Sequence, residues 1–253
     1  MTIRKKKFLP LKWFFRLAVF CCFLFLFLFK SFQVNGNSLP TSQIHPLPAF
    51  LVQWQDFNHQ GDYFHLIQKT PVDYLVWSQF PIKIYVEKAL EQTNNSAQEV
   101  RFQEWVNAVR NAIKEWNKYL PVQEIVQPEL ADINIIRLPI EREFKLNPET
   151  GLYDIPRAIT AQTNYRFYIQ AKTKKLLHQM TIKISPDLGK TATIGAARHE
   201  LGHALGIWGH SDRESDALYF SQVRNTPNIS DRDINTLKKI YQQPTKLGWK
   251  IKN

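Results

Sequence analysis

Apolar and polar positions alternate with a period of two at 82–86, where Ile82, Ile84 and Val86 are separated by Lys83 and Tyr85, which predicts a strand with one buried face. The period then changes. Ser96-x-x-Glu99 forms a capping box ahead of Phe102, Trp105, Val106, Val109, Ile113, Trp116 and Leu120, whose helical spacing predicts a long amphipathic helix stopped by Pro121. The stretch 131–138 (ADINIIRL) predicts a second strand, and strand, helix and strand in this order should form a right-handed parallel crossover. Residues 158–170 and 176–185 predict two further strands around the polar turn Lys172-Thr173-Lys174-Lys175. One helix is expected from about Thr191, and a last one from Ser230, capped as Ser230-x-x-Asp233. Strands lead and helices close the chain in one pair of layers, an α+β domain.

The region before Tyr74 reads differently. Pro40, Pro46 and Pro48 among polar residues at 31–48 suggest an extended linker, and Phe50, Trp54, Phe57, Tyr63 and Phe64 could pack on the domain or form a small pro-segment. At the start, the basic run 4–7 (RKKK) precedes an uninterrupted apolar stretch, Leu17–Phe29, which suits a signal-peptide core. A membrane span needs roughly 20 residues; a snorkelling Arg16 would stretch the buried segment back to Trp13. The residues therefore leave a cleaved signal and a retained anchor both open. Either sends the rest of the chain across the membrane, to an extracytoplasmic site where it is secreted or anchored.

With 44% hydrophobic and 22% charged residues among 253, the composition is that of a globular protein. Lys and Arg number 33 against 22 Asp and Glu, a formal charge of +11 that suggests nucleic acid until the charges are located. Seven basic residues and no acid lie in the first thirty positions, which leaves 26 basic against 22 acidic residues elsewhere. A surplus of four makes no case for DNA or RNA. Both cysteines, Cys21 and Cys22, sit in the apolar N-terminal run, so the domain has no disulfide framework, thiol nucleophile or thiolate metal site.

The chemistry is concentrated in HELGHALGIWGH at 199–210. His199 and His203 stand four apart, so on a helix both imidazoles leave one face and can reach one zinc ion at about 2.0–2.1 Å. Glu200 is beside them but rotated off that face, where it can hold a water without taking a coordination position. Gly206 can adopt the conformation that ends the helix and reverses the chain, and His210 can then return as a third ligand. Three neutral ligands leave a fourth position for water, whose pKa zinc lowers to about 7. Such a water, with Glu200 as general base and acid, suffices to hydrolyse a peptide bond. Four of the nine glycines fall within 195–209, which adds to the specificity of the pattern.

This stretch resembles the zinc signature H-E-x-x-H-x-x-G-x-x-H of metzincin metallopeptidases, and Ser211 after the last histidine points to the matrixin, matrix-metalloproteinase-type branch. The likeness extends over about 75–243: Phe80-Pro81 before IKIYV, the helix from Glu104 to Leu120, ADINI, and the closing ISDRDINTLKKIY each resemble a matrixin element. The resemblance implies an α+β, zincin/metzincin-like mixed β-sheet with a long first helix, an active-site helix and a C-terminal helix. It also implies a monomeric zinc endopeptidase whose protein or peptide substrate lies extended against an edge strand, expected here at Thr181–Ser185. The expected organisation is 1–36 signal peptide or N-terminal membrane anchor, 37–73 linker or pro-segment, 74–245 catalytic domain and 246–253 tail.

Three departures stand out. Leu218 occupies the position of the methionine that underlies the zinc in metzincins, a nearly volume-conserving change in an apolar floor. Residues 141–180 supply only His178, so the family's structural zinc is not carried over and calcium has no support in the sequence. A cysteine-switch propeptide is impossible after residue 22, which would leave Asp56 or Asp62 as candidates for an aspartate switch, against the plainer reading of surface aspartates. His45, His59, His65 and His178 read as ordinary histidines, Arg198 as structural and Trp208 as a wall of the site. The competing reading is a non-catalytic zinc-binding interaction module on the metzincin scaffold, with Leu218 its sole support.

Overall fold

The alternating positions at 82–86 form β1 (Ile82–Val86), with Ile82, Ile84 and Val86 buried, in a computed structural model that describes residues 39–88, 97–140, 145–146, 148, 153–154, 159–221 and 223–251. Beside it lie β2 (Val122–Ile125) and β3 (Ile133–Arg137), both parallel to β1. A hairpin of β6 (Ala161–Ile169) and β7 (Leu176–Ile184) completes a five-stranded sheet in the order β2-β1-β3-β7-β6. Four strands run parallel and β6 alone runs antiparallel, while β4 (Lys145–Leu146) and β5 (Tyr153–Asp154) pair as a separate ribbon. The architecture is a mixed α/β domain with a mostly parallel sheet.

Helices cover the sheet because their apolar stripes have nowhere else to go. α1 (Ala49–Gln53) is short; α2 (Ala97–Trp116) buries Trp105, Val106, Val109, Ile113 and Trp116, the residues whose spacing predicts it. Ser96, the expected cap of α2, lies outside the described residues, as does the apolar segment Leu17–Phe29. Among the described residues no helix is long and apolar enough to cross a membrane. α3 (Lys190–Ala204) packs against α2, β6 and β7, and α4 (Asp231–Tyr241) opens on the expected capping box, in which Ser230 and Asp233 satisfy each other's backbone N–H groups. This is consistent with the α+β expectation, with the long α2 following β1 as its pattern predicts.

Two further expectations change. Thr181–Ser185 is not an edge: the turn at 170–175 folds β6 back along the open side of β7, so β7 is hydrogen-bonded on both sides and β6 is the edge strand at this end of the sheet. The single crossover from β1 to β3 is interrupted by β2, which pairs on the far side of β1.

Residues 39–73 do not hang off the domain as a linker. Leu51 and Tyr63 are fully buried, Gln43 exchanges both backbone hydrogen bonds with Thr245, and Trp54 Nε1 donates to Asn235 of α4 at 2.9 Å. The segment packs against α4, where Trp54, Asp56, Asp62 and Tyr63 bond to Asn235, Lys239 and Asp233. Asp56 accepts from Asn235 and Asp62 pairs with Lys239 at 2.6 Å, so both candidate switch aspartates are tied to α4. The expected tail is likewise held: Leu247 is buried, and Leu176 and Trp249 are joined by a 2.9 Å backbone hydrogen bond.

On the inward face of β7, His178 takes the place of an apolar residue, stacked on Trp77 at 3.8 Å with no hydrogen-bond partner for Nε2. Burial drives its pKa from 6.5 down to about 3. Below pH 6.5 the unfolded chain therefore takes up a proton that the folded chain refuses, and stability falls as the pH drops towards 3. His178→Leu is expected to remove about 1–2 kcal/mol of the loss between pH 6.5 and 5, read by urea unfolding of the metal-free protein. By the same assay Leu51→Ala is expected to cost about 2–5 kcal/mol, as for any core leucine; a cost below 1 kcal/mol would make residues 39–73 a peripheral strap.

Candidate metal centre

α3 carries the first two histidines on one face, and its end delivers the third. Gly206 sits at φ 130°, a backbone conformation side chains rarely adopt, and a Cβ there would lie 2.7 Å from the Leu75 carbonyl. The Ile207 N–H returns to the Gly202 carbonyl at 3.0 Å, and the Leu205 carbonyl accepts from the Tyr241 hydroxyl at 3.0 Å. The helix end is thus satisfied inside the fold, and the chain turns back to bring His210 beside His199 and His203.

The nitrogen donors of the three imidazoles lie within 4.8 Å of one another. His199 Nδ1 bonds the Ala217 carbonyl at 2.9 Å and His203 Nδ1 bonds the Ile207 carbonyl at 2.7 Å. A carbonyl can only accept, so both Nδ1 atoms carry the proton and both Nε2 atoms present a bare lone pair when the rings are neutral. Those two Nε2 atoms face each other at 3.1 Å. Two lone pairs at this distance repel unless a cation lies between them, and two ligands of a tetrahedral zinc would stand about 3.3 Å apart. The donor set therefore fits a divalent metal.

Burial keeps the rings in the ligand form. It drives the His199 pKa down to about 4, that of His203 well below its ordinary value, and that of His210 in the same direction. Glu200 is pushed up to about 7 by the same desolvation, against the Thr163 hydroxyl, which donates to its Oε2 at 2.6 Å. Thr163 projects from β6, so the edge strand and the carboxylate are joined directly. A bound cation would offset the rise on Glu200 by favouring its charged form.

Below the imidazoles the chain makes a tight turn at 211–219. Ser211 N–H donates to the Leu218 carbonyl at 2.8 Å, and the Ser211 hydroxyl to Asp216, which also accepts from Arg232 at 2.9 Å. Asp233 accepts from the Ala217 N–H at 2.9 Å and from the Tyr63 hydroxyl at 2.5 Å. Leu218 is fully buried under Gly202, where a Cβ would approach its Cδ2 to 2.5 Å; the floor is closed and apolar.

A cleft passes over this centre along the start of β6. One lobe, about 520 Å³, is lined by Ala161, His199, Glu200, Tyr219, Thr226 and Pro227; the other, about 290 Å³, by Gln68, Gln162, Glu200, His203 and Trp208. Phe220 and Ile159, 64% and 55% exposed, stand at the rim as an apolar lip.

All four residues expected at the site, His199, Glu200, His203 and His210, are brought together, and Trp208 and Tyr219 line the cleft. His45, His59, His65 and His178 do not join them; among the described residues no second group of three or more His, Cys, Asp or Glu side chains gathers. Thr163, the Ala217 and Ile207 carbonyls and Asp233 are supports that the motif does not announce. Thr163 shows only as one inward position of a strand, and backbone carbonyls carry no sequence signature.

Replacing His199, His203 or His210 by Ala is expected to abolish retention of a single equivalent of zinc on metal analysis after gel filtration, whereas His45→Ala retains it. Retention by all three single variants would mean that the ion is held elsewhere. No protein-family model matches the chain, and no curated protein matches it.

Proposed function

We propose that the protein is an exported zinc-dependent endopeptidase of the metzincin, matrixin-like type. The observation that carries this reading is the pair of bare Nε2 atoms of His199 and His203 at 3.1 Å, joined by His210 and flanked by the buried Glu200 carboxylate at the floor of an open cleft. The sheet with one antiparallel edge strand, the long α2, the motif on α3 and the capped α4 support the same family. The basic N-terminal run and the apolar Leu17–Phe29 support export, as a secreted protein or one anchored through that segment.

His199, His203 and His210 would hold the ion. When bound, zinc acts as a Lewis acid that polarises the scissile carbonyl and makes a water nucleophilic near neutral pH. The rest is the work of this chain's own groups. Thr163 occupies Oε2 of Glu200, so Oε1 is the oxygen left to take the proton from the attacking water and pass it to the leaving amine. The elevated pKa of a buried carboxylate suits an atom that must hold that proton between the two transfers. β6, an edge strand with its outer backbone groups unpaired in the sheet, offers an extended peptide a strand to pair with as it crosses the metal centre.

Leu218 does not favour a non-catalytic module over an enzyme, because it fills the floor as an apolar side chain of similar volume would. The test is cleavage of an unfolded protein by the zinc-loaded chain. Activity is expected to vanish with a chelator and to fall about 10²–10⁴-fold in Glu200→Gln, while the variant keeps its zinc. A zinc-loaded wild type that cleaves nothing would leave the interaction-module reading in place of this one.

A further inference from the structure

The outer wall of the larger lobe is formed by Phe220, Ser221, Val223, Thr226 and Pro227, and none of the described residues of 220–229 lies in a helix or strand. Two contacts with α3 set where it runs. At Gly195 an added Cβ would stand 2.4 Å from Cγ2 of Thr226, so the wall lies directly on the helix backbone there. One turn further on, the Arg198 side chain, 5% exposed, donates from Nε and Nη2 to the Glu115 carboxylate of α2 at 2.5 and 2.9 Å. Its remaining nitrogen, Nη1, donates to the Pro227 carbonyl. Thr226 and Pro227 line the same lobe as His199 and Glu200, the two residues that follow Arg198.

The guanidinium is suited to this task. Its planar fork satisfies the carboxylate with two N–H groups and still has a third donor aimed elsewhere, an arrangement a lysine ammonium cannot reproduce. With the guanidinium fixed between α3 and Glu115 of α2, the wall cannot move outward to accept a larger group without breaking a buried, charge-assisted hydrogen bond.

We propose that Arg198 is a specificity-determining positioning residue, which by holding the Pro227 carbonyl fixes the outer wall of the cleft and limits the size of the apolar group seated beside His199 and Glu200. The proposal rests on the reading of this cleft as the substrate cleft of a zinc peptidase, and it is tested without turnover.

Linear alkyl hydroxamates of increasing tail length, beginning with acetohydroxamate, are titrated calorimetrically into the zinc-loaded full chain, into Arg198→Lys and into Glu115→Ala. In the wild type, affinity is expected to rise with tail length to a cut-off and then fall about tenfold. In both variants the cut-off is expected to shift to longer tails, while acetohydroxamate, which does not reach the wall, binds within about twofold of wild type. Glu115→Ala leaves α3 and the zinc ligands untouched and removes the carboxylate that fixes the guanidinium, so it decides the matter if Arg198→Lys fails to hold zinc. A cut-off at the same length in the variants overturns the proposal, as does a parallel loss for all tails including acetohydroxamate, the mark of a merely structural residue. Failure of the wild type to bind any hydroxamate overturns both readings; binding with the expected shift but no cleavage of protein overturns the peptidase alone.

Discussion

Two hydrogen bonds, from His199 Nδ1 to the Ala217 carbonyl and from His203 Nδ1 to the Ile207 carbonyl, are the constraint on which the site depends. Imidazoles taken out of water must stay neutral, and a neutral imidazole still has one N–H to satisfy. Meeting that need with backbone carbonyls outside the cluster turns both Nε2 lone pairs inward and makes a cation the natural occupant of the space between them. Ile207 is available because Gly206 reverses the chain within one residue of the helix end. Ala217 is available because the turn at 211–219 closes under α3.

Ala217 also links the centre to the rest of the fold. Its carbonyl holds His199 and its N–H is held by Asp233, whose carboxylate in turn caps α4 through Ser230 and accepts from Tyr63. One buried carboxylate thus ties the N-terminal wrap, the last helix and the turn beneath the imidazoles into a single arrangement. Desolvation raises the pKa of this carboxyl, and the four donors that converge on its two oxygens work against that rise by favouring the charged form. This explains why residues 39–73 belong to the fold, although their composition reads as a connection.

What the sequence makes legible follows from the physics of each signal. His199, Glu200, His203, Gly206 and His210 are fixed relative to one another by helix geometry and one glycine turn, so their spacing alone predicts their convergence. The apolar stripe of α2 and the alternation in β1 and β7 are similarly local. β2 is not legible, because Val122–Ile125 is a short, half-exposed edge strand that forms only where β1 offers a free side. The edge of the sheet is misplaced from sequence because hairpin order decides it, and a hairpin read as two strands does not say which one lies outside. Arg198 reads as structural on its helix face; its partners Glu115 and Pro227 are far away in the chain, and only the packing of α2 and the wall against α3 reveals what it holds.

The central claim is that three neutral imidazoles form an open metal centre whose remaining position is free for water. Zinc K-edge X-ray absorption on the loaded protein tests it most directly. The account predicts three imidazole nitrogens with their outer-ring scattering and one oxygen donor without it, all at about 2.0–2.1 Å. A closed shell of four protein ligands, or an ion without imidazole scattering, would contradict it.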